Sequence, residues 1–230
     1  MVRRLFAALS AAAAIVVFAA PATASGGFTL FGDATFVAGH NSPTGVQLRS
    51  STSVAPGFGG ITFALPAGTT SNQLQTLGTD FMVTQGDCGG GAPRFSIEFT
   101  SGANAFVYLG PPPNFTHCAP GWQTTGNLLS GTNTIDTSQL GGTFYDTLSH
   151  AYATYGLMTI KAVDLVVDAS FASNGLQTVV VDNVQINGTT FTFESKEGCK
   201  DGGWQNFTTS PGPFKNQGDC VSFFASGGNS

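Results

Sequence analysis

The sequence predicts an all-β protein: an antiparallel jelly-roll β-sandwich with one short amphipathic helix and a small disulfide-stapled C-terminal lobe. Three observations carry this expectation. Apolar residues fall in short runs between Gly- and Pro-rich turns, not in long helical stretches. Phe is abundant at 20 residues while charged residues make up only 9%, so the chain has a core to bury but little charge to solvate. Four cysteines, Cys88, Cys118, Cys199 and Cys220, form an even set suited to two disulfides.

The N-terminus comes first. Arg3 and Arg4 form a positive region, Leu5 to Ala20 an uncharged apolar run, Pro21 a break, and Ala22-Thr23-Ala24 a small-residue cleavage site. Met1 to Ala24 therefore reads as a cleavable secretory signal peptide. A membrane-spanning helix needs ~20 apolar residues, and this run is shorter and Ala-rich, so no transmembrane anchor is expected. Val2 precedes the Arg pair and the full twin-Arg motif is missing, which favours the general secretory route.

Strands follow. Phe28 to Val37, Thr44 to Ser50, Ile61 to Leu65 and Asp80 to Thr84 are short apolar segments divided by turns such as Ser42-Pro43 and Pro56-Gly57. In Arg94 to Phe99, Phe95, Ile97 and Phe99 alternate with Arg94, Ser96 and Glu98, as in a half-exposed strand. Ala105 to Leu109 is apolar on both faces, which predicts a central strand, ended by Gly110-Pro111-Pro112-Pro113. Thr143 to Tyr155 breaks the pattern: Phe144, Leu148, Ala151, Tyr152 and Tyr155 recur at helical spacing. Thr143 and Asp146 suit a capping box and Gly156 a C-terminus, predicting one amphipathic helix across a sheet. Strands resume at Ile160 to Asp168 and Gln177 to Val181. Val184 to Ile186, Asn187-Gly188 and Thr189 to Phe193 then read as a hairpin with a type I′ turn. Many short strands with turns between them predict the sandwich.

From Lys196 onward charge is concentrated, and Cys199 and Cys220 bracket a segment too small to hold a core alone. The expected organisation is a signal peptide over 1–24, a sandwich domain over 25–194 and a stapled segment over 195–230. Sequence permits three cysteine pairings. The local ones, Cys88–Cys118 and Cys199–Cys220, are favoured; each closes a loop worth ~3–4 kcal/mol in the loop-entropy account. No C-x-x-C or H-x3-H spacing points to zinc.

Charge narrows the partners. There are 8 basic and 13 acidic residues, and losing Arg3 and Arg4 takes the net charge from −5 to about −7. No basic patch interleaves with aromatics, which argues against nucleic acid and against anionic membrane surfaces.

Two stretches carry a resemblance. Cys199-Lys200-Asp201-Gly202-Gly203-Trp204 with Phe214-Lys215-Asn216-Gln217-Gly218-Asp219-Cys220-Val221-Ser222 resembles a C-terminal segment carried by many uncharacterised secreted bacterial proteins. Asp87-Cys88-Gly89-Gly90-Gly91-Ala92-Pro93-Arg94-Phe95, Gly126-Asn127-Leu128, Asp164-Leu165-Val166-Val167-Asp168 and Val181-Asp182-Asn183-Val184 together resemble secreted bacterial proteins whose last strands are similar to jelly-roll carbohydrate-binding modules. The likeness is one of fold, and it implies a family of unknown function, not a named activity.

Each chemical candidate has a competing reading. Gly86-Asp87-Cys88-Gly89-Gly90 resembles the nucleophile loop of chymotrypsin-like cysteine proteases, but only His40 precedes Cys88 and export favours a disulfide. A glycosidase needs paired carboxylates. Glu98, Glu194 and Glu197 are the only Glu residues, and Glu98 reads as solvent-facing. Asp164, Asp168 and Asp182 cluster on the last strands. Jelly-roll modules often hold a structural calcium, here through Asp182 with Asp33 or carbonyls of the first strand. A turn Asp bonded to its own backbone is the preferred reading. Trp122, Tyr108 and Tyr145 are candidate sugar-stacking platforms, although Trp122 also reads as cover for the core edge. Trp204 reads as packing on the Cys199–Cys220 disulfide. His150 and Asp146 read as a helix-surface pair. Asn114, Asn187 and Asn206 head glycosylation sequons that matter only in a host able to use them.

The expected protein is secreted and non-enzymatic, binds a glycan or a cell-envelope surface, and needs no cofactor. The alternatives are an extracellular coat or matrix component without a specific ligand, and a carbohydrate-active hydrolase.

Overall fold

The computed structural model describes residues 22–23, 27–130 and 133–226. The expected signal peptide lies outside these residues, apart from Ala22–Thr23. In chain order the strands are β1 Ala22–Thr23, β2 Phe28–Gly32, β3 Ala34–Val37, β4 Gly45–Ser51, β5 Gly59–Phe63, β6 Leu77–Gln85, β7 Arg94–Phe99, β8 Asn104–Tyr108, β9 Gln123–Thr124, β10 Thr134–Ile135, β11 Asp146–Thr147, β12 Ile160–Val167, β13 Leu176–Ile186 and β14 Thr189–Phe191. The α-helices are α1 Leu148–Tyr155 and α2 Gln217–Ala225.

Most strands form two facing sheets, antiparallel except where β1 runs parallel to β14, and β10 and β11 form a separate antiparallel pair. One facing sheet runs β2-β5-β12-β7-β8; in the other, β13 pairs with β4 and β14 on one edge and β6 on the other, and β9 extends from β6. The order β4-β13-β6-β9 therefore faces β5-β12-β7-β8, with β4 passing to β5, β6 to β7 and β12 to β13 across the sandwich. That nesting is a jelly roll. β2 and β3 extend the two sheets at one side, where Gly32 turns the chain from one to the other at φ 64°. A Cβ on Gly32 would stand 2.3 Å from the Phe58 carbonyl oxygen, so only glycine fits there.

Alternation builds the core. Phe95, Ile97 and Phe99 of β7 meet Ile61 and Phe63 of β5, Val163, Leu165 and Val167 of β12, and Val46, Leu48, Val179 and Val181 of the opposite sheet; all are buried. Each large side chain contributes ~1.5–3 kcal/mol by leaving water. Cys199, Phe207 and Cys220 form a second buried cluster, with Trp204, Phe214, Val221 and Phe224 packed on it. Both disulfides join the locally paired cysteines, Cys88–Cys118 and Cys199–Cys220.

Three expectations are corrected. β8 is the edge strand of its sheet, not a central one; its free edge is covered by a bridge in which Phe106 and Asp136 exchange both backbone hydrogen bonds. The helix begins at Leu148, not Thr143. Thr147 is the N-cap and accepts from the His150 N–H, while Asp146 is drawn into β11 and bonds Thr137 and His150. This helix packs against the 3-10 turn Ser71–Gln73 and the β10–β11 pair. At the β13–β14 hairpin Asn187 takes φ 52°, but Gly188 lies outside the left-handed region, so the turn is not type I′. Asn187 is held instead by tertiary bonds: its Oδ1 accepts from Gln75 and Thr76 N–H, and its Nδ2 donates to Gln73 O.

Candidate functional site

The outward side chains of β8 open the site. Ala105 and Val107 point into the core, so Phe106 and Tyr108 point outward beside Arg94 of β7, whose register partner is Tyr108. Arg94 lies over the Phe106 ring, 5.0 Å from its centroid. Its two terminal nitrogens grip the Asp168 carboxylate at 2.6 and 2.7 Å, and Nη1 also donates to Gly91 O.

Tyr108 is the pivot. Its hydroxyl donates to the buried Asp136 carboxylate, whose other oxygen accepts from Ser138 N–H. Burial, then the bond to Asp136, hold the Tyr108 hydroxyl well above the ordinary tyrosine range. The ring lines two clefts at once. One, of about 400 Å3, also has Phe115, Tyr145, Pro112, Asn114 and Asn133 in its wall. The other, of about 290 Å3, has Phe106, Phe144, Phe171, Gln139, Asp136 and Asp168. Both are near the lower end of small-ligand pockets. Phe115 stands 5.1 Å from Tyr108 and 5.9 Å from Tyr145, the latter pair stacked. Phe144, Tyr145 and Phe171 are 61%, 56% and 72% exposed, and they group around the two clefts as apolar residues do on an interaction surface.

Local structure explains how these rings are held. Gly110 lets the Pro-rich loop fold back: a Cβ there would stand 2.5 Å from the Phe115 carbonyl oxygen. Asp146 anchors the segment carrying Phe144 and Tyr145. Burial opposes its ionisation, but bonds from His150 and Thr137 outweigh that and lower its pKa. Gln177, buried in β13, donates to Asp87 O and Ala92 O and so ties the Gly-rich loop beneath Phe171 to the sheet. Asp87 in turn caps the Cys88–Cys118 bridge, accepting from both cysteine N–H groups.

Of the predicted platforms, Tyr108 and Tyr145 meet in one cleft and Trp122 does not join them. Trp122 stacks on His40 instead, 4.6 Å apart and nearly parallel. His40 belongs to a polar cluster at a bulge in β13, where Asp182 and Asp80 face each other across the strands. Asp182 is fully buried and accepts from Ser42 Oγ, His40 N–H and Asn183 N–H. Asp80 accepts from Thr124 Oγ1 and Asn183 Nδ2. Burial raises the Asp182 pKa to about 6, with the Asp80 charge adding to it.

The structure does not bring Asp33 and Asp182 together as calcium ligands. Asp33 pairs with Arg49, and β4 places Arg49 opposite Thr178, well along β13 from Asp182. Among the described residues no group of three His, Cys, Asp or Glu side chains converges as a metal cage. Asp182 does bond its neighbour's backbone, and its main partners come from a distant loop. Nor do Asp164, Asp168 and Asp182 cluster: Asp164 accepts from Thr62 on the outer face of β12, Asp168 holds Arg94, and Asp182 lies in the other sheet. Trp204 packs on the Cys199–Cys220 cluster as expected. Phe106, Phe115, Phe144, Phe171 and Asp136 were not singled out as site residues by sequence; only Phe106 had a signal, the doubly apolar pattern of β8.

The fold and site define a jelly-roll β-sandwich with an open aromatic cleft along the edge strand β8. No protein-family model and no curated protein matches the chain. Among solved structures it is similar to an exo-beta-agarase, with TM-score 0.36 and 14% identity over 71% of this chain; the chain spans only 23% of that protein. It is also similar to the xyloglucanase domain of NopAA, a type three effector from Sinorhizobium fredii, in complex with cellobiose. There the TM-score is 0.33 and the identity 10%, covering 71% of this chain and 93% of that one.

Proposed function

We propose that this is an exported, non-catalytic protein that binds a glycan, on a polymer or a cell-envelope surface, through the aromatic cleft beside β8. The observation that carries the reading is the Tyr108–Phe115–Tyr145 ring set, which lines an open cleft with amides of Asn114 and Asn133. Flat apolar rings suit the faces of pyranose sugars, and amides suit their hydroxyls. The hydrolase alternative is weaker. Asp136 is committed to Tyr108 and Ser138, and Asp168 to Arg94, so neither carboxylate is poised as an acid or base. Export is supported by the expected signal peptide and by the two disulfides, which belong to oxidising compartments. Among the described residues no helix is long and apolar enough to cross a membrane.

The test is retention on insoluble polysaccharides and retardation in native gels cast with soluble ones, comparing wild type with a Phe115→Ala/Tyr145→Ala variant. Binding by wild type that the variant loses supports the reading. Equal behaviour of the two proteins, or no retention on any glycan, overturns it.

A further inference from the structure

We infer that the site takes an internal stretch of a neutral polysaccharide chain, laid along the β8 edge from Tyr145 to Phe171, and not a terminal sugar or an acidic glycan; this rests on the glycan-binding reading above. Geometry argues for length. Tyr108 lines both clefts, so they adjoin across its ring, which is their common wall. Each cleft has an exposed ring of its own in its lining, Tyr145 in one and Phe144 and Phe171 in the other. A site for a chain end needs only one such platform. Phe171 is held out over Gly90, whose missing side chain leaves room for it: a Cβ there would come within 2.9 Å of the ring.

Charge argues for neutrality. Arg94 is the only cation among the described residues lining either cleft. Its fork is closed by Asp168 and shared with Gly91 O, so it is not a ready partner for a uronate or a sulfate. Asp136 adds a second carboxylate to the same wall, leaving the two clefts with a net negative charge on a chain that is itself acidic. An anionic glycan would enter against that field.

The experiment uses the full chain. Native gels contain mixed-linkage β-glucan, xyloglucan, galactomannan or agarose, and in parallel polygalacturonate or alginate. The neutral polymer that retards the protein is then competed with its own oligosaccharides, disaccharide through hexasaccharide. Expected results are retardation by a neutral polymer and not by the anionic ones, and competition that strengthens by about tenfold or more with length, the scale of one further ring contact. Phe171→Ala, whose exposed ring is not needed by the core, lowers hexasaccharide affinity by a larger factor than disaccharide affinity. The inference is overturned by a disaccharide competing as well as a hexasaccharide, by tighter binding of an anionic polymer, or by Phe171→Ala affecting both lengths equally. Failure of every glycan to bind removes the underlying reading and this inference with it, whereas short or acidic binding removes only the inference.

Discussion

The Tyr108 hydroxyl donates its hydrogen bond to the buried carboxylate of Asp136, and this one contact sets the ring that both clefts share. It joins the last residue of β8 to the segment bridged to that strand's free edge, so the edge is closed and the cleft wall oriented by the same bond. Tyr108→Phe leaves Asp136 with one partner fewer in a buried position, at a cost of about 1–3 kcal/mol. The expected outcome is a lower thermal midpoint with weaker glycan retention, read by calorimetry and native-gel retardation. An unchanged midpoint would show that the bond does not hold the segment.

Tyr145 and Trp122 separate the two aromatic clusters. Tyr145→Ala removes a half-exposed ring stacked on Phe115 and should weaken glycan affinity roughly tenfold with little loss of stability. Trp122→Ala should leave affinity unchanged and lower stability by about 1–3 kcal/mol, since the ring covers His40 at the β13 bulge. Titration calorimetry and thermal melts on both variants distinguish these outcomes, and a Trp122→Ala protein that no longer binds glycan would move the site.

Gly110 offers a test of backbone geometry alone. Gly110→Ala places a methyl group against the Phe115 carbonyl, and overpacking of this kind costs about 1–3 kcal/mol. The loop must shift and carry Phe115 away from Tyr108, so affinity falls although no contacting side chain has been removed. A crystal structure of the variant with Phe115 in place would contradict this.

Asp182 makes stability depend on pH. Its folded pKa of about 6 exceeds its ordinary value of 3.8, so between these values the native state holds a proton that the unfolded chain releases. Its contribution is complete below pH 4 and is lost as pH rises through about 6, amounting to some 2–3 kcal/mol. Asp80 faces the same carboxylate across the strands, and the His40 ring faces Asp80. Asp182→Asn should flatten this part of the profile, because an amide keeps an oxygen for its donors and has no charge to desolvate. Chemical denaturation between pH 4 and 7 on both proteins measures it, and parallel profiles would count against the assignment.

The Cys199–Cys220 bridge closes the small C-terminal cluster. Replacing both cysteines by serine should cost about 3 kcal/mol in that segment. Proteolysis is then expected within 195–226 first, while the sandwich, whose core lies elsewhere, keeps its own transition. Simultaneous loss of both would show that the lobe and the sandwich form one cooperative unit.

Much of the fold was legible locally. The alternation of Phe95, Ile97 and Phe99 gave β7 its two faces, and short loop closure favoured the cysteine pairings found. The same reasoning failed at β8, where apolar residues on both faces suggested burial on both sides. Phe106 and Tyr108 are apolar for a different reason: one lies under Arg94, the other divides two clefts. It failed again at Thr143, because the competing pull on Asp146 came from Thr137, and at Asn187, whose partners are Gln73, Gln75 and Thr76.

By itself the sequence determined the all-β sandwich, a preference for the two local disulfides and the expectation of export, since each rests on residues close together in the chain: strand periodicity, short covalent loops, an apolar run behind two arginines. Tertiary structure alone decided where the site lies. Phe106, Phe115, Tyr145 and Phe171 come from four separate segments, and no local pattern links them. They meet because β8 falls at a sheet edge, where outward rings are left beside loops instead of beneath another strand.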